Sequence, residues 1–275
     1  SSDVCSSDLV NYNGGNQTIQ NNDYHHLTLS GSGTKTMPGS TIAVGGNLTT
    51  SGTISATAGA AINTTGTVTL GSGTTFDGSS FTHAVGGDWV DNGGTFTPGA
   101  STIHFNGTYG QAINGTAASQ TFNNLTVNKS GQTLSVGGST ATLTLNGSLT
   151  ITTGTLSAGT ATAINIAGNW SNSGTFTAGS GTVNFNGGSA QSMTGATTFN
   201  GLSINNSAGV TLNNAATVNG TLTLTSGRLT TGTNTVSVAA DGSISGGSAG
   251  SYVAGNLQKS FTTGSGQSFT FTIGD

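Results

Sequence analysis

The stretch GDWVDNGGTFTPGA at residues 87–100 returns almost unchanged as GNWSNSGTFTAGS at residues 168–180. Each copy contains a Trp, a turn of small polar residues and a Thr-Phe-Thr triplet. In an extended chain successive side chains point to opposite sides, so the Phe of each triplet faces one way and both Thr face the other. This alternation is typical of a half-buried strand, and the return of the whole unit indicates a repeat protein.

Three longer copies extend the repetition along the chain. They begin at Val10, Ile103 and Val183, and each has an aromatic-Asn-Gly turn, a Gln and an alternating segment such as Leu-Thr-Val. A shorter Gly-led motif returns at intervals near multiples of about twenty residues, apart from its last interval. It begins at Gly46, Gly87, Gly147, Gly168 and Gly220.

The periodicity predicts an all-β fold. A unit of about twenty residues is too small to bury its own apolar side, but stacked units bury a continuous narrow core. We therefore expect a single-stranded parallel β-helix (a β-solenoid) of right-handed sense, with coils of about 20 residues. The recurring Trp and Phe are expected at the same corner of every coil. No segment has the 3.6-residue period of an amphipathic helix.

The composition excludes several classes of protein. Charged residues make up 4% of the chain, there are 47 Gly, and the net charge is only −4, whereas disordered chains usually carry high net charge. The basic residues are scattered singly, so no patch for nucleic acid is expected. No apolar run is long enough for a membrane-spanning helix. The isolated cations are Lys35, Lys129, Arg228 and Lys259.

The ends of the chain differ in texture from its middle. Residues 1–9, which contain the only cysteine, Cys5, back-translate to a sequence that looks like the end of a common sequencing adapter, and we predict that they are an unstructured artefact. Residues 10–250 are expected to form the β-helix. Residues 251–275 are expected to form a terminal coil leading to a further module that lies outside this sequence.

The four histidines are the first candidates for chemistry. His25 and His26, with Asp23, could hold a metal ion, but the other copies have turn residues at these places, and solvated turn positions are the favoured interpretation. His104 is predicted to face outward. His83 has the parity of an inward residue and is predicted to be buried and hydrogen-bonded.

Among the acids, Asp88 and Asp91 flank Trp89 in a pattern that hints at calcium. Asn169 and Asn172 stand at the matching places of the third copy, in the stretch 168–180, which weakens that hypothesis. Catalysis of acid–base type needs two perturbed groups close together, and the sequence, which has no Glu, shows no such pair. We predict a protein that is not an enzyme, with no catalytic residue, cofactor or metal site. The remaining charged candidates, Asp241 and Arg228, are isolated.

Two further patterns favour binding surfaces. Paired outward Thr could match an ice lattice, although outward strand positions favour Thr in any case. Those pairs are Thr67/Thr69, Thr95/Thr97, Thr142/Thr144, Thr175/Thr177 and Thr221/Thr223. Exposed aromatic rings would favour carbohydrate binding. The candidates are Tyr12, Tyr24, Tyr109 and Trp89, of which Tyr12 and Tyr24 align with an inward-packing Phe.

The coils resemble the β-helical regions of large secreted or surface-anchored bacterial proteins, of the filamentous haemagglutinin-like and autotransporter adhesin type. The tail, residues 242–275, is similar to the end of the β-helical part in exported proteins of Bacteroidetes-like bacteria. There a Val-x-Gly-Asn-Leu segment and a basic residue precede Phe-Pro-Ile-Gly-Asp. This chain matches at Tyr252-Val253, at Gly255-Asn256-Leu257, at Lys259 and at Phe271 to Asp275, with Thr272 in place of Pro.

The resemblance implies a non-catalytic stalk or adhesin segment of a longer bacterial surface protein, outside the cell. Its expected partners are glycans or cell surfaces. A carbohydrate-binding or polysaccharide-cleaving β-helix is the alternative, and an ice-binding solenoid is a remote one. The export signal is expected to lie outside this sequence.

Overall fold

The computed structural model describes residues 8–266, 269, 271 and 273–274, and this part of the chain contains strands and turns but no helix. It is a β-solenoid of about 12 turns with about 21 residues per turn. The predicted parallel β-helix is therefore confirmed, and its right-handed sense stays a prediction. Within the described residues, no helical segment has the length and apolarity needed to span a bilayer.

Strands are short because Gly, Asn and Ser clusters interrupt the alternating pattern. The first part of the chain contains β1 (Leu9–Tyr12), β2 (Gln17–Thr18), β3 (His26–Leu29), β4 (Ser32–Thr36), β5 (Ile42–Val44), β6 (Leu48–Thr50), β7 (Thr53–Thr57), β8 (Ile62–Thr64), β9 (Val68–Gly71), β10 (Thr75–Asp77), β11 (Thr82–Val85), β12 (Trp89–Asn92), β13 (Thr95–Thr97), β14 (Thr102–Phe105), β15 (Gln111–Gly115) and β16 (Ser119–Phe122).

The three longest strands of the second part run through a corner without a break: β17 (Asn124–Val136), β19 (Leu149–Ser157) and β30 (Leu229–Val238). The others are β18 (Thr142–Leu145), β20 (Ala163–Ile166), β21 (Trp170–Asn172), β22 (Thr175–Thr177), β23 (Thr182–Phe185), β24 (Gln191–Thr194), β25 (Thr197–Phe199), β26 (Gly201–Asn205), β27 (Val210–Leu212), β28 (Ala216–Val218), β29 (Thr221–Ser226), β31 (Ser243–Gly246), β32 (Val253–Lys259) and β33 (Ile273–Gly274).

Each turn of the solenoid contributes three sides. All named strand pairs are parallel, and a strand pairs with the one that lies about one turn further along the chain. A 21-stranded sheet covers two sides, and the third side is covered by a 5-stranded sheet followed by a 7-stranded sheet. Inward residues of the three sides meet in one continuous core, and the polar residues between them face outward.

The two Trp lie on different sides, which corrects the expectation that they share one corner position. Trp89 pairs with Val68 and Ile113 in one ladder of stacked inward residues, whereas Trp170 pairs with Leu149 and Met193 in another. Because all three sides of the coil present the same alternation, a corner motif can be built on any of them. The repeat therefore encodes a corner and not a fixed side.

Close stacking explains why small residues recur at the corners. Gly52 has a φ of +77°, and a Cβ there would lie 2.3 Å from the carbonyl oxygen of Gly31 in the preceding turn. The same oxygen accepts a 2.9 Å hydrogen bond from the backbone N of Thr53. A side chain would break both the left-handed conformation and the spacing between turns, so only glycine fits.

The predicted boundaries are only partly visible in the fold. Residues 1–7, with Cys5, lie outside the described residues, as do Thr272 and Asp275 of the tail. Leu9, assigned to the unstructured terminus, is the first residue of β1. At the other end, stacking continues past residue 250, because β32 pairs with β30 up to Lys259.

Candidate functional site

The aromatic corner at Trp89 is held by a buried polar chain. Its ring lies 4.8 Å from Phe96 on the same turn and 5.2 Å from Phe122 on the next, both edge to face. Trp89 Nε1 donates to Gln120 Oε1 at 3.1 Å, and Gln120 Nε2 donates to Asp91 Oδ2 at 2.9 Å. Each buried polar atom thus has a partner, as burial requires.

The other carboxylate oxygen of Asp91 closes the turn that follows. Oδ1 accepts the backbone N–H groups of Gly93 and Gly94, each at 2.9 Å. Asp91 is 5% exposed, and both oxygens of its carboxylate accept hydrogen bonds from groups of the fold.

The corner at Trp170 repeats this arrangement without a charge. The ring lies 4.9 Å from Phe176 and 5.3 Å from Phe199. Trp170 Nε1 donates to Thr197 Oγ1 at 3.2 Å, and Asn172 Nδ2 donates to the same oxygen at 3.1 Å. Asn172 and Thr197 therefore stand in for Asp91 and Gln120.

A buried Gln and its hydrogen-bond partners link the aromatic-Asn-Gly turn at residues 105–107 to the coils before and after it. Gln111 Oε1 accepts the backbone N of Gly107 at 3.0 Å, and Gln111 Nε2 donates to the carbonyl of Val85 at 2.9 Å. Lys129, which is fully buried, donates to the carbonyl of Gly107 at 2.8 Å and to Gln111 Oε1. The sequence did not predict this use of a lysine.

The first copy contains the same pair. Lys35 is also fully buried, and its Nζ donates to the carbonyls of Gly14 and Gly15, at 2.7 and 2.9 Å, and to Gln17 Oε1 at 2.8 Å. These bonds use all three donors of the ammonium group.

The third copy replaces the lysine by an amide. Asn206 Nδ2 donates to Gln191 Oε1 at 2.9 Å and to the carbonyl of Ser189 at 2.7 Å. Gln191 Oε1 also accepts the backbone N of Gly187 at 3.0 Å, as the equivalent Gln does in the other copies. The position requires a hydrogen-bond donor and not a positive charge.

Burial disfavours the charged form of both lysines. It lowers the pKa of Lys129 to about 8, and Asp88 opposes this effect to a smaller degree. Burial also lowers the pKa of Lys35. The pKa values of these two amines are therefore lower than those of solvated lysines. Their neighbours are backbone carbonyls and Gln side chains, and no substrate cleft adjoins them among the contacts described.

The structure does not bring Asp88 and Asp91 together. Asp91 has the inward parity of Trp89, whereas Asp88 is half-buried on the other side of the strand and its Oδ1 accepts the backbone N of Ala112 at 2.8 Å. In the part of the chain that the structure describes, no three His, Cys, Asp or Glu residues form a group suited to a metal ion.

The histidines are placed largely as predicted. His83 is 4% exposed; its Nδ1 accepts the backbone N of Ile62 at 3.1 Å, and its Nε2 lies 2.9 Å from the carbonyl of Gly78. Burial lowers its pKa, and the Gly78 contact opposes this. His104 is half-buried and burial lowers its pKa, while its buried Nε2 has no hydrogen-bond partner.

His26 differs from the expectation of a turn residue, because it is the first residue of β3 and its Nδ1 accepts the backbone N of Asn47 at 2.9 Å. The ring of His25 lies 4.4 Å from that of His26, edge to face. Asp23, the third member of the considered metal group, is exposed in the preceding turn.

The paired threonines do not lie on one surface. Each pair faces outward, but the pairs lie on different sides of the solenoid. Thr95/Thr97 in the 5-stranded sheet and Thr142/Thr144 and Thr221/Thr223 in the 7-stranded sheet lie on the third side, whereas Thr69 and Thr175/Thr177 belong to the 21-stranded sheet. Asp241 and Arg228 are exposed in different turns.

Only one of the four candidate aromatic residues is exposed. Trp89 is 1% exposed, so the prediction that it could line a binding face is wrong. Tyr24 is buried, and Tyr12 is half-buried with its hydroxyl 3.0 Å from that of Tyr24. Tyr109 is 81% exposed and lines an open groove of about 500 Å³. This groove is the candidate functional site.

No protein-family model, curated protein or solved structure matches the chain. The fold and the corners therefore define it by architecture: it is a parallel β-solenoid repeat protein of low charge.

Proposed function

We propose that this chain is a non-catalytic, extracellular stalk or adhesin segment of a large bacterial surface protein. The observation that carries the proposal is the unbroken stack of about 12 turns around one core. At about 4.8 Å per turn, such a stack forms a rod of about 60 Å. A rod of this kind separates a distal surface from its point of attachment.

The buried charges fit a structural role. Lys35, Lys129 and Asp91 each form a hydrogen bond to a neighbouring turn, so groups that an enzyme would expose to substrate here hold adjacent turns together. The resemblance of the tail to exported bacterial β-helical proteins supports an outer-surface location.

Adhesion by such a segment would be multivalent. Weak contacts made by many copies on one surface add up through effective concentration, without any single tight site. A polysaccharide-cleaving role is the less favoured alternative, and ice binding is a remote one. Carbohydrate binding is the second candidate, since the exposed Tyr109 ring favours it.

The proposal is tested by coating beads with the purified full chain at graded density and incubating them with a panel of bacterial and animal cells. Dense beads should adhere while sparse beads and the free protein do not. Beads coated with an unrelated β-solenoid at the same density are the matched control. Release of new reducing ends from a polysaccharide panel would contradict the non-catalytic assignment.

A further inference from the structure

Tyr109 is placed where the fold does not need a ring. It lies in the turn between β14 and β15, and 81% of its surface is exposed, whereas the Trp and most Phe rings pack in the core. The third copy has the exposed Ser189 at the equivalent position of the same turn. Since a serine completes that turn, the aromatic side chain has no structural role here. An exposed ring retains an apolar face that water covers poorly.

The Tyr109 ring lies at the edge of a groove that neighbouring turns form. On the outward side of β11, the small residue Ala84 pairs with Asn63 on one turn and His104 on the next, which leaves a low point between two larger side chains. The groove above it has a volume of about 500 Å³. Besides Tyr109, its lining includes Thr65 and Asn106.

Two asparagine side chains that line this groove, Asn63 and Asn106, do not hold adjacent turns together. Asparagines elsewhere hold adjacent turns together; for example, Asn47 Oδ1 accepts the backbone N of Thr67 at 2.9 Å. The side chains of Asn63 and Asn106 form no hydrogen bond with another described residue. Their amides can therefore donate to and accept from a ligand.

The lining carries no charged side chain. Two of the four cations, Lys35 and Lys129, are buried, and the net charge is −4, so an acidic ligand would find no counter-charge in this groove. An open groove with one aromatic platform, amides and hydroxyls matches a neutral molecule that has both hydroxyl groups and an apolar C–H face.

We propose that the groove between Tyr109, Asn63 and Asn106 binds a neutral carbohydrate. The Tyr109 ring stacks against the C–H face of one sugar unit, and the two amides bond its hydroxyls. This assignment deepens the proposed adhesive function and rests on it for its biological role. The binding itself is independent of whether the rod serves as a stalk.

The test uses the full chain and an immobilised panel of neutral di- to tetrasaccharides of glucose, galactose, mannose and N-acetylglucosamine. Any sugar that binds is then titrated in solution by calorimetry. Tyr109→Ala should weaken binding about tenfold or more, and Tyr109→Phe should retain it, because stacking needs the ring and not the hydroxyl. Asn63→Ala should also weaken binding, and Ala84→Phe should abolish it by filling the low point.

Phe261→Ala is the matched control, since it removes a ring that is 46% exposed but lies far along the chain from the groove. Circular dichroism verifies that each variant is folded. The proposal is overturned if the folded wild-type chain binds no member of the panel, or if Tyr109→Ala binds as tightly as wild type. In either case the bead assay still decides the stalk or adhesin role.

Discussion

The Trp89 and Trp170 corners have the same geometry and different chemistry. Both rings make edge-to-face contacts, at 4.8 and 4.9 Å, with a Phe on the same turn. At Trp89 the indole N–H bonds to an amide that is held by a buried carboxylate, whereas at Trp170 it bonds to a hydroxyl that is held by an amide. The adjoining turns differ likewise, with Lys129 in one and Asn206 in the other.

This difference shows what the repeat conserves. Each corner needs an aromatic cluster and a closed set of hydrogen bonds, while the charge of the bonding groups is free to vary. From the sequence alone, Asp91 and Lys129 would suggest catalytic or metal-binding residues. The corner at Trp170 and the turn bonded by Asn206 are complete without any charge, so the charges of Asp91 and Lys129 serve the fold.

The aromatic clusters should have the largest effect on stability. Trp89→Ala and Trp170→Ala each remove a fully buried ring and leave a cavity, so each should lower the free energy of unfolding by about 3–5 kcal/mol. Urea denaturation followed by far-UV circular dichroism measures both.

The comparison requires the two losses to be similar, because both rings are fully buried and each packs against a Phe of its own turn and a Phe of the next. Trp→Phe at either site should cost less, since part of the cavity is refilled. A loss confined to one Trp would break the equivalence of the two corners.

Exchange of the polar sets should have the next largest effect. In Asp91→Asn, the new amide N–H would face the donating Nε2 of Gln120, and Gln120 cannot flip because its Oε1 accepts from Trp89. The unpaired buried donor should cost about 1–3 kcal/mol of unfolding free energy.

The double variant Asp91→Asn/Gln120→Thr rebuilds the set found at Trp170, so it should be more stable than the sum of the single losses predicts. Asn172→Asp is the reciprocal control and should also destabilise, because Thr197 Oγ1 already donates its proton to the carbonyl of Gly195 at 3.0 Å, so the new carboxylate would face an acceptor. Additive losses in the double-mutant cycle would show that the two corners do not share one bonding scheme.

The sequence predicts the architecture well because alternation and a repeat of about twenty residues are local signals. It also places His83 inward by parity. The sequence does not predict the contacts of a side chain whose hydrogen-bond partner lies in a neighbouring turn of the solenoid. Lys129, in a polar Asn-Lys-Ser-Gly stretch, resembles a solvated surface residue, and only the stacked coil shows that Gln111 and Gly107 enclose it. The exposure of Tyr109 depends in the same way on turns that are distant in sequence.

The buried lysines should make the free energy of unfolding depend on pH. Burial lowers the pKa of Lys129 from 10.5 to about 8, so between these values the unfolded chain binds more protons than the folded chain. The free energy of unfolding should therefore rise as the pH increases from about 8 to 10.5. Lys35 shifts in the same direction and should add to the rise.

Lys129→Met should flatten this rise, and Lys35→Met/Lys129→Met should remove most of it. Arg228→Met is the matched control: it also removes a positive charge, but from an exposed side chain and not a buried one, so the slope should stay. Asn206→Met should lower stability equally at every pH, because the third copy satisfies its Gln191 with an amide that does not titrate. A slope that survives in the double lysine variant would mean that other titrating groups cause it, and would contradict the lowered pKa values of the two buried amines.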